Sequence, residues 1–288
     1  MLTPVPLGGA RRSHEKRHKA TAAREYPFRI RDEDFDLHTT DGVVLRARWR
    51  RAKAATDCVI VAHGFSASQD DEAVSALAEL LLLAGHDVLT YDARGHGASG
   101  GRSGVGSTEH LDVASAAAFA TEADLPVVLV GVSMGAVAVV SHLATAGLEL
   151  GPVVGAVLVS GPAKWRIRPS VVGLISALLT RTPPGRWLAE RWLKVRIAHD
   201  WHLGEEPASA VRRVNIPVAV VHGEGDRLLG IAHGRILHEA AGGPCRFDLV
   251  EGMAHGVDEA SSAATLLAVD WVLEQSSEVR VPTTTPGR

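Results

Sequence analysis

Cysteine is nearly absent from this chain, which has only Cys58 and Cys245 among its 288 residues. Two cysteines are too few for the disulfide framework of a small secreted protein, and we expect both to be small buried hydrophobic residues in a reducing compartment. A long apolar run is missing as well. The most apolar stretch, residues 125–163, is interrupted by several glycines. This favours strands and helices of a soluble core over a membrane span, which needs about 20 continuous apolar residues.

Neither sign of charge dominates the chain, but the charges are segregated along it. The net charge is −3, residues 1–24 carry +5 and residues 164–213 carry +6, which leaves an acidic remainder. An acidic body repels phosphate groups at long range, so we expect no nucleic-acid partner. The first residues contain no apolar segment of the kind that export signals require, and the predicted location is therefore the cytoplasm.

Five short runs rich in β-branched residues predict the strands of a parallel sheet. The runs begin at Cys58, Asp87, Val127, Val154 and Val218. They are continuous rather than alternating, which is typical of strands covered by helices on both faces. Amphipathic or alanine-rich segments between the runs predict those helices, and Asp41-Gly42 predicts a hairpin turn ahead of the first run.

The same pattern predicts the domain organisation. Residues 25–163 and 214–276 form one α/β core, residues 1–24 a disordered basic tail, and residues 277–288 a flexible tail. Residues 164–213 interrupt the strand pattern with two helix-like runs and four of the six tryptophans. We expect a small helical cap over the carboxyl edge of the sheet, where α/β proteins bind ligands. Its tryptophans and positive charge suggest contact with a membrane or lipid surface.

One motif at a strand end predicts a nucleophile. Gly131-Val132-Ser133-Met134-Gly135 follows a predicted strand and precedes a predicted helix. G-x-S-x-G in this context is a nucleophile elbow, a tight turn that lifts the serine out of the sheet. The helix that begins after Ser133 favours negative charge developing beside it.

A serine nucleophile needs a base and an acid that orients the base, and both occur in the expected order along the chain. Asp226 follows a predicted strand as the candidate acid, and His255 lies in the last strand-to-helix loop as the candidate base. The neighbouring Glu224 is an alternative acid. Two backbone N–H groups, of Phe65 after the first parallel strand and of Met134 after the nucleophile, are the predicted oxyanion donors.

Taken together, several segments resemble those of the α/β-hydrolase superfamily, in particular its serine aminopeptidase and monoacylglycerol lipase-like branch. The segments are His63-Gly64-Phe65, Asp92-Ala93-Arg94-Gly95-His96-Gly97-Ala98-Ser99, the elbow, the Gly223-to-Asp226 loop and Gly252-Met253-Ala254-His255-Gly256. The resemblance implies an α/β-hydrolase fold with a mostly parallel sheet, and hydrolysis of a small-molecule carboxylic ester, monoacylglycerol-like or other, through an acyl-enzyme. It implies neither a cofactor nor a metal.

Three other motifs point to cofactor or metal sites and are the weaker interpretations. Residues 95–100 match G-x-G-x-x-G, but further glycines follow where a dinucleotide site needs a helix. Residues 14–18 match H-E-x-x-H without the apolar helix face that a zinc site packs. His199 and His202 are expected on the surface of the cap.

The same parts leave several activities open, because fold alone does not select a reaction. The alternatives are acyl transfer or thioester hydrolysis, cofactor-free haloperoxidase-like activity, and a non-catalytic ligand-binding protein.

Overall fold

A computed structural model describes residues 31–121, 124–147, 149–165 and 171–280 of the chain. Its strands are β1 (Arg31–His38), β2 (Val44–Arg51), β3 (Cys58–Ala62), β4 (Asp87–Tyr91), β5 (Val127–Val132), β6 (Val153–Val159), β7 (Val218–Gly223) and β8 (Cys245–Val250). They form one sheet in the order β1-β2-β4-β3-β5-β6-β7-β8. The six strands β3 to β8 pair in parallel, and β1 and β2 form an antiparallel edge beside β4. The predicted mostly parallel sheet is confirmed.

Helices cover both faces of this sheet, as predicted. They are α1 (Glu72–Leu83), α2 (His110–Thr121), α3 (Met134–Ala146), α4 (Val171–Arg181), α5 (Pro183–Leu188), α6 (Pro207–Ala210), α7 (Ile231–Ala240) and α8 (Glu259–Arg280). The sheet separates two hydrophobic cores, one on each face, and alternate residues of β3 point into one or the other. Val59 and Val61 pack beneath α1 and α8, whereas Ile60 points to the opposite face, beneath α2 and α3.

The hairpin predicted around Asp41-Gly42 joins β1 to β2, and Gly42 adopts the positive φ of 83° that its turn requires. The β2 side chains alternate between buried and partly exposed positions, as expected of an edge that faces the core on one side only. Cross-strand ion pairs such as Arg48 with Asp34, at 2.7 Å, line the exposed side of this edge. At such exposure these pairs contribute little to stability.

The described part of the segment between β6 and β7 contains helices and no strand. It contains α4, α5, a π-helical turn over Ala189–Leu193, α6 and a 3₁₀ turn over Val211–Arg213. The part of this segment that follows the π-helical turn is hydrogen-bonded to the loop after β4. Arg196 N–H donates to the Gly95 carbonyl at 2.8 Å, and Ser103 N–H donates to the Arg196 carbonyl at 2.7 Å. This part of the predicted cap segment therefore lies at the carboxyl edge of the sheet.

Both predicted tails fall largely outside the described residues. Helix α8 continues to Arg280, four residues past the predicted end of the core at residue 276. Residues 1–24 and 281–288 lie outside the described part, and the predicted division into core, cap and tails stays a prediction. Within the described ranges, none of the helices combines the length and apolarity that crossing a bilayer requires.

Candidate active site

Ser133 occupies a strained turn between β5 and α3. Its backbone has φ 50° and ψ −105°, a conformation that non-glycine residues adopt rarely and at a cost of about 1–3 kcal/mol. The two glycines of the elbow make the turn possible. A Cβ atom at Gly131 would lie 2.6 Å from the Ala136 Cα, and one at Gly135 would overlap the Ala62 carbonyl. The local sequence therefore permits the close packing that holds Ser133 at the edge of the sheet.

Three predicted side chains form one hydrogen-bonded chain. The Ser133 Oγ lies 2.9 Å from His255 Nε2, and His255 Nδ1 lies 2.8 Å from Asp226 Oδ2. Asp226 comes from the loop after β7 and His255 from the loop after β8, so three strand ends contribute one residue each. The carboxylate only accepts hydrogen bonds, which places the proton of a neutral His255 on Nδ1. His255 Nε2 is then free to accept the Ser133 hydroxyl proton.

The Asp226 carboxylate is fully buried but well supplied with hydrogen bonds. Its Oδ1 accepts the backbone N–H groups of Leu228 and Leu229, both at 2.9 Å. Burial raises the pKa of Asp226, but the hydrogen bonds from His255 and from the Leu229 backbone outweigh it, and the pKa is lowered to about 2. The side chain is therefore a carboxylate at neutral pH. The alternative acid, Glu224, is exposed and has no side-chain hydrogen bond within the described residues.

The two backbone segments that carry the predicted oxyanion donors both lie close to Ser133. Met134 begins α3, and the backbone of Gly64 passes so close to the nucleophile that an added Cβ would lie 3.6 Å from the Ser133 Cβ. Neither the Phe65 nor the Met134 N–H donates a hydrogen bond to any other described part of the chain. Two unused N–H groups beside a nucleophile are what an oxyanion hole requires.

Three further polar residues at strand ends contact this site, and the sequence reasoning assigned them no role. His63 follows β3, and its ring bonds the Gly64 carbonyl at 2.8 Å. Ser160 follows β6 with a positive φ of 49°, and its Oγ accepts the Gly256 N–H at 3.2 Å, beside His255. His222, in β7, places its Nε2 3.5 Å from Asp226 Oδ2. The available signal was their position, because each is a polar side chain at the carboxyl end of a buried strand.

The glycine-rich segment 95–100 does not open a helix. Instead, it wraps around the Asp92 carboxylate, which accepts the backbone N–H groups of Gln69 and Ala98, both at 2.8 Å. A Cβ at Gly97 would overlap that carboxylate, which explains a glycine at this point. The segment therefore shapes the loop next to the site and lacks the helix terminus on which a dinucleotide site would hold a pyrophosphate.

The two candidate metal ligands that the structure describes, His199 and His202, are not part of a metal site. His199 and His202 are both exposed. Among the residues that the structure describes, no group of three or more His, Cys, Asp or Glu side chains is arranged to hold a metal ion. The H-E-x-x-H match at residues 14–18 lies outside the described residues.

Comparison with known proteins identifies a family. The family model described as serine aminopeptidase S33 matches residues 53–205, just over half of the chain. The matched range contains Ser133 and ends before Asp226 and His255. No curated protein is similar enough in sequence to count as a match.

Solved structures with the same fold include several esterases. One from Rhodococcus sp. ECU1013 is 21% identical over 84% of this chain and 99% of that one, with a TM-score of 0.63. One from Exiguobacterium antarcticum is 17% identical over 84% of this chain and 100% of that one, with a TM-score of 0.65. One from Pyrococcus furiosus is 18% identical over 87% and 92%, with a TM-score of 0.61. At these identities the likeness shows the α/β-hydrolase fold alone.

Proposed function

This chain belongs to the serine aminopeptidase S33 family of α/β-hydrolases, and we propose that it is a serine esterase that cleaves a small-molecule carboxylic ester through an acyl-enzyme. The main support for the proposal is the 2.9 Å contact between the Ser133 Oγ and His255 Nε2, together with the hydrogen bond between His255 Nδ1 and the Asp226 carboxylate. A serine hydroxyl is a weak nucleophile, and this chain supplies the base and the buried carboxylate that activate it.

The proposed reaction has two halves, acylation of Ser133 and hydrolysis of the acyl-enzyme, and His255 transfers the proton in both. The Ser133 oxygen attacks the ester carbonyl while His255 Nε2 takes the hydroxyl proton. The Asp226 carboxylate stabilises the imidazolium, and the Phe65 and Met134 N–H groups hold the oxyanion. The C–O bond to the alcohol then breaks, and His255 returns its proton to the leaving alcohol. In the second half, His255 removes a proton from water, which attacks the acyl-enzyme carbonyl. The bond between the acyl carbon and the Ser133 oxygen then breaks, His255 returns the proton to that oxygen, and the acid is released.

Labelling with a fluorophosphonate probe tests the nucleophile directly. We expect the wild-type chain to be labelled on one serine, identified as Ser133 by mass spectrometry, and Ser133→Ala to lose both the label and ester hydrolysis. Ser141→Ala, on the helix α3 that begins directly after Ser133, is the matched control and should keep both. A wild-type chain that is not labelled and cleaves no ester would leave the non-catalytic binding protein as the better interpretation.

A substrate panel separates the remaining activities. Esters of graded acyl length, an acyl thioester and an aminoacyl p-nitroanilide are compared by kcat/KM, and added alcohols test acyl transfer by partitioning the acyl-enzyme. Bromination in the presence of acetate and peroxide tests the haloperoxidase alternative. A preference for thioester or anilide over every ester by more than tenfold would contradict the proposed substrate class.

We further propose that the cap contacts anionic lipid surfaces. Of the large hydrophobic side chains that are exposed in the described residues, most lie in one short cap segment: Leu174, Ile175, Leu178, Trp187, Leu188, Trp192 and Leu193. Trp187 and Trp192 are 66% and 75% exposed. A lipid surface is the occupant that this combination favours, because tryptophan is apolar with one polar tip and suits a membrane boundary.

The charge around these side chains supports an anionic surface. Arg181, Arg191 and Lys194 are exposed in the same segment, against the single carboxylate of Glu190. Each well-placed cation adds roughly 1 kcal/mol at an anionic membrane, and added salt screens that contribution. The lipid surface would bring acyl esters to the carboxyl edge of the sheet, above which the cap begins.

Vesicle sedimentation tests this contact. We expect binding to phosphatidylcholine vesicles that contain phosphatidylglycerol, weaker binding in 0.5 M salt, and loss of binding in Trp187→Ser/Trp192→Ser. Leu267→Ser, which removes a side chain 58% exposed on α8, is the control and should bind normally. Absence of binding to anionic vesicles at low salt, or equal loss in the control, would overturn the lipid contact and leave the esterase proposal intact.

A further inference from the structure

The geometry points to a positioning role for His63, whose ring holds the Gly64–Phe65 peptide so that the Phe65 N–H remains directed at the carbonyl oxygen of the ester that Ser133 attacks. The inference deepens the proposed ester hydrolysis and rests on it. His63 lies at the end of β3 and is 1% exposed.

Two hydrogen bonds determine which ring nitrogen of His63 carries the proton. The Ala93 backbone N–H donates to His63 Nε2 at 2.9 Å, so Nε2 must be unprotonated. The proton of the neutral ring is therefore on Nδ1, which lies 2.8 Å from the Gly64 carbonyl and donates to it. Both ring nitrogens are thus satisfied, each by the backbone of a different strand end.

The peptide that accepts this hydrogen bond is the one that carries the proposed oxyanion donor. The Gly64 carbonyl and the Phe65 N–H belong to one planar trans peptide and point in opposite directions. A donor that fixes the carbonyl therefore also fixes the direction of the N–H. Hydrogen bonding at the carbonyl polarises the peptide as well, and this strengthens its N–H as a donor.

The surroundings of His63 keep the ring neutral and in place. The His96 ring packs edge-on against His63, with centroids 5.2 Å apart, and also against Phe65, with centroids 5.7 Å apart. Burial and the neighbouring His96 lower the pKa of His63 to about 3. The ring therefore acts as a fixed donor and acceptor and does not exchange protons during turnover near neutral pH. The Phe65 side chain packs against Val195 and Ile197 at the base of the cap, which supports the same loop from the other side.

A merely structural role is the alternative, in which His63 only ties β3 to the loop after β4 through Ala93. Two amide substitutions separate the roles. In His63→Asn the side-chain NH₂ takes the place of Nδ1 and keeps a donor for the Gly64 carbonyl, but nothing reaches the Ala93 N–H. In His63→Gln the side-chain oxygen reaches the place of Nε2 and keeps the acceptor for Ala93, but the donor at Nδ1 is lost.

Kinetics of the two variants with p-nitrophenyl butyrate test the proposal, with kcat expressed per active site titrated by a fluorophosphonate. We expect His63→Gln to lose about 10²-fold in kcat, the order of effect of removing one oxyanion donor, with KM changed less than about threefold. His63→Asn should stay within about tenfold of wild type. The affinity for a boronic acid that forms a tetrahedral adduct should fall in parallel with kcat. Equal kcat losses in the two variants, or a greater loss in His63→Asn, would overturn the positioning role.

If neither variant folds, NMR of the wild-type protein tests the same inference. The ¹⁵N chemical shifts of the imidazole report which nitrogen is protonated, and we expect His63 to carry its proton on Nδ1 between pH 6 and 9. A proton on Nε2 would overturn the proposal. Failure of the wild-type protein to cleave esters or accept the probe would instead refute the proposed function, so the two failures are distinguishable.

Discussion

Replacing Asp226 by asparagine reverses the hydrogen bonding of the proposed catalytic chain without changing its shape. The backbone N–H groups of Leu228 and Leu229 are donors and pair only with an oxygen. They therefore hold the amide oxygen of the Asp226→Asn side chain at the place of Oδ1 and turn its NH₂ towards His255. An NH₂ group donates, so His255 Nδ1 must become an acceptor and its proton must move to Nε2. The His255 Nε2–H then donates to Ser133 and no longer removes its proton.

The expected loss follows from that inversion. A triad with the wrong histidine tautomer loses on the order of 10⁴ in kcat, which corresponds to about 5.5 kcal/mol of transition-state stabilisation. The replacement is close to isosteric and keeps the two backbone hydrogen bonds, so the fold should survive. We expect a melting temperature within a few degrees of wild type. The loss should appear in kcat rather than KM, because the side chain at position 226 acts through His255 and not on the bound substrate.

Steady-state hydrolysis of p-nitrophenyl butyrate and the rate of fluorophosphonate labelling measure the effect independently. Both should fall together, since each requires proton removal from Ser133. Glu224→Gln is the matched control, a carboxyl-to-amide change two residues away at an exposed side chain, and should retain nearly full activity. If Asp226→Asn kept more than a tenth of the wild-type kcat, or if Glu224→Gln caused the large loss, the tautomer argument would be refuted.

Three other perturbations test the fold and its titrating groups. Arg94→Met should destabilise the protein by about 1–3 kcal/mol in urea unfolding, because the fully buried Asp112 loses its guanidinium partner at 2.8 Å. The loss should be larger at pH 8 than at pH 6, since burial raises the pKa of Asp112 to about 7 and the protonated form needs the guanidinium less. Asp112→Asn in the same chain should recover part of the loss. Burial lowers the pKa of His63 to about 3 and that of His142 to about 4, so the unfolded chain binds more protons, and stability should fall by up to about 1.4 kcal/mol per pH unit for each histidine as pH drops below about 6.5. A melting temperature that stays constant from pH 7 to 5 would contradict this. Deleting residues 1–24 should leave kcat and melting temperature unchanged, and loss of bound zinc together with activity would revive the H-E-x-x-H interpretation.

The parts of the fold that could be predicted from sequence are those with both faces buried. The runs beginning at Cys58 and Val127 have no exposed side, so their pattern is continuous and unmistakable. The edge strand β8 was not among the predicted runs and was implied only by the strand-to-helix loop expected to carry His255, because its side chains are only partly buried and include charges. Arg246 and Asp248 in β8 form an ion pair at 2.8 Å on this open edge. Such a strand resembles a loop in composition, and its register depends on β7 rather than on its own sequence.

The sequence predicted those residues of the candidate site that directly follow predicted strands, because the carboxyl ends of parallel strands meet at one edge of the sheet. Ser133, Asp226 and His255 were expected at one edge, and the structure brings them within hydrogen-bonding distance of one another. The choice between Asp226 and Glu224 required the structure, since both lie in one loop and only the fold shows that Asp226 is buried against His255 whereas Glu224 is exposed. The cap was less predictable, because the exposed positions of Trp187 and Trp192 depend on how α5 and the π-helical turn pack.

Polar and strained residues at this edge share one physical explanation. Ser133 and Ser160 both adopt a positive φ, at 50° and 49°, each directly after a strand buried on both faces. Such conformations cost about 1–3 kcal/mol each and persist only where the surrounding packing imposes them. Here the strands impose them: Ser133 N–H donates to the Val159 carbonyl and Ser160 N–H to the Val221 carbonyl, both at 2.9 Å. Each serine is thereby held by the next strand of the sheet, and the sheet's own hydrogen bonding sets the distance between the elbow and the loop that carries His255.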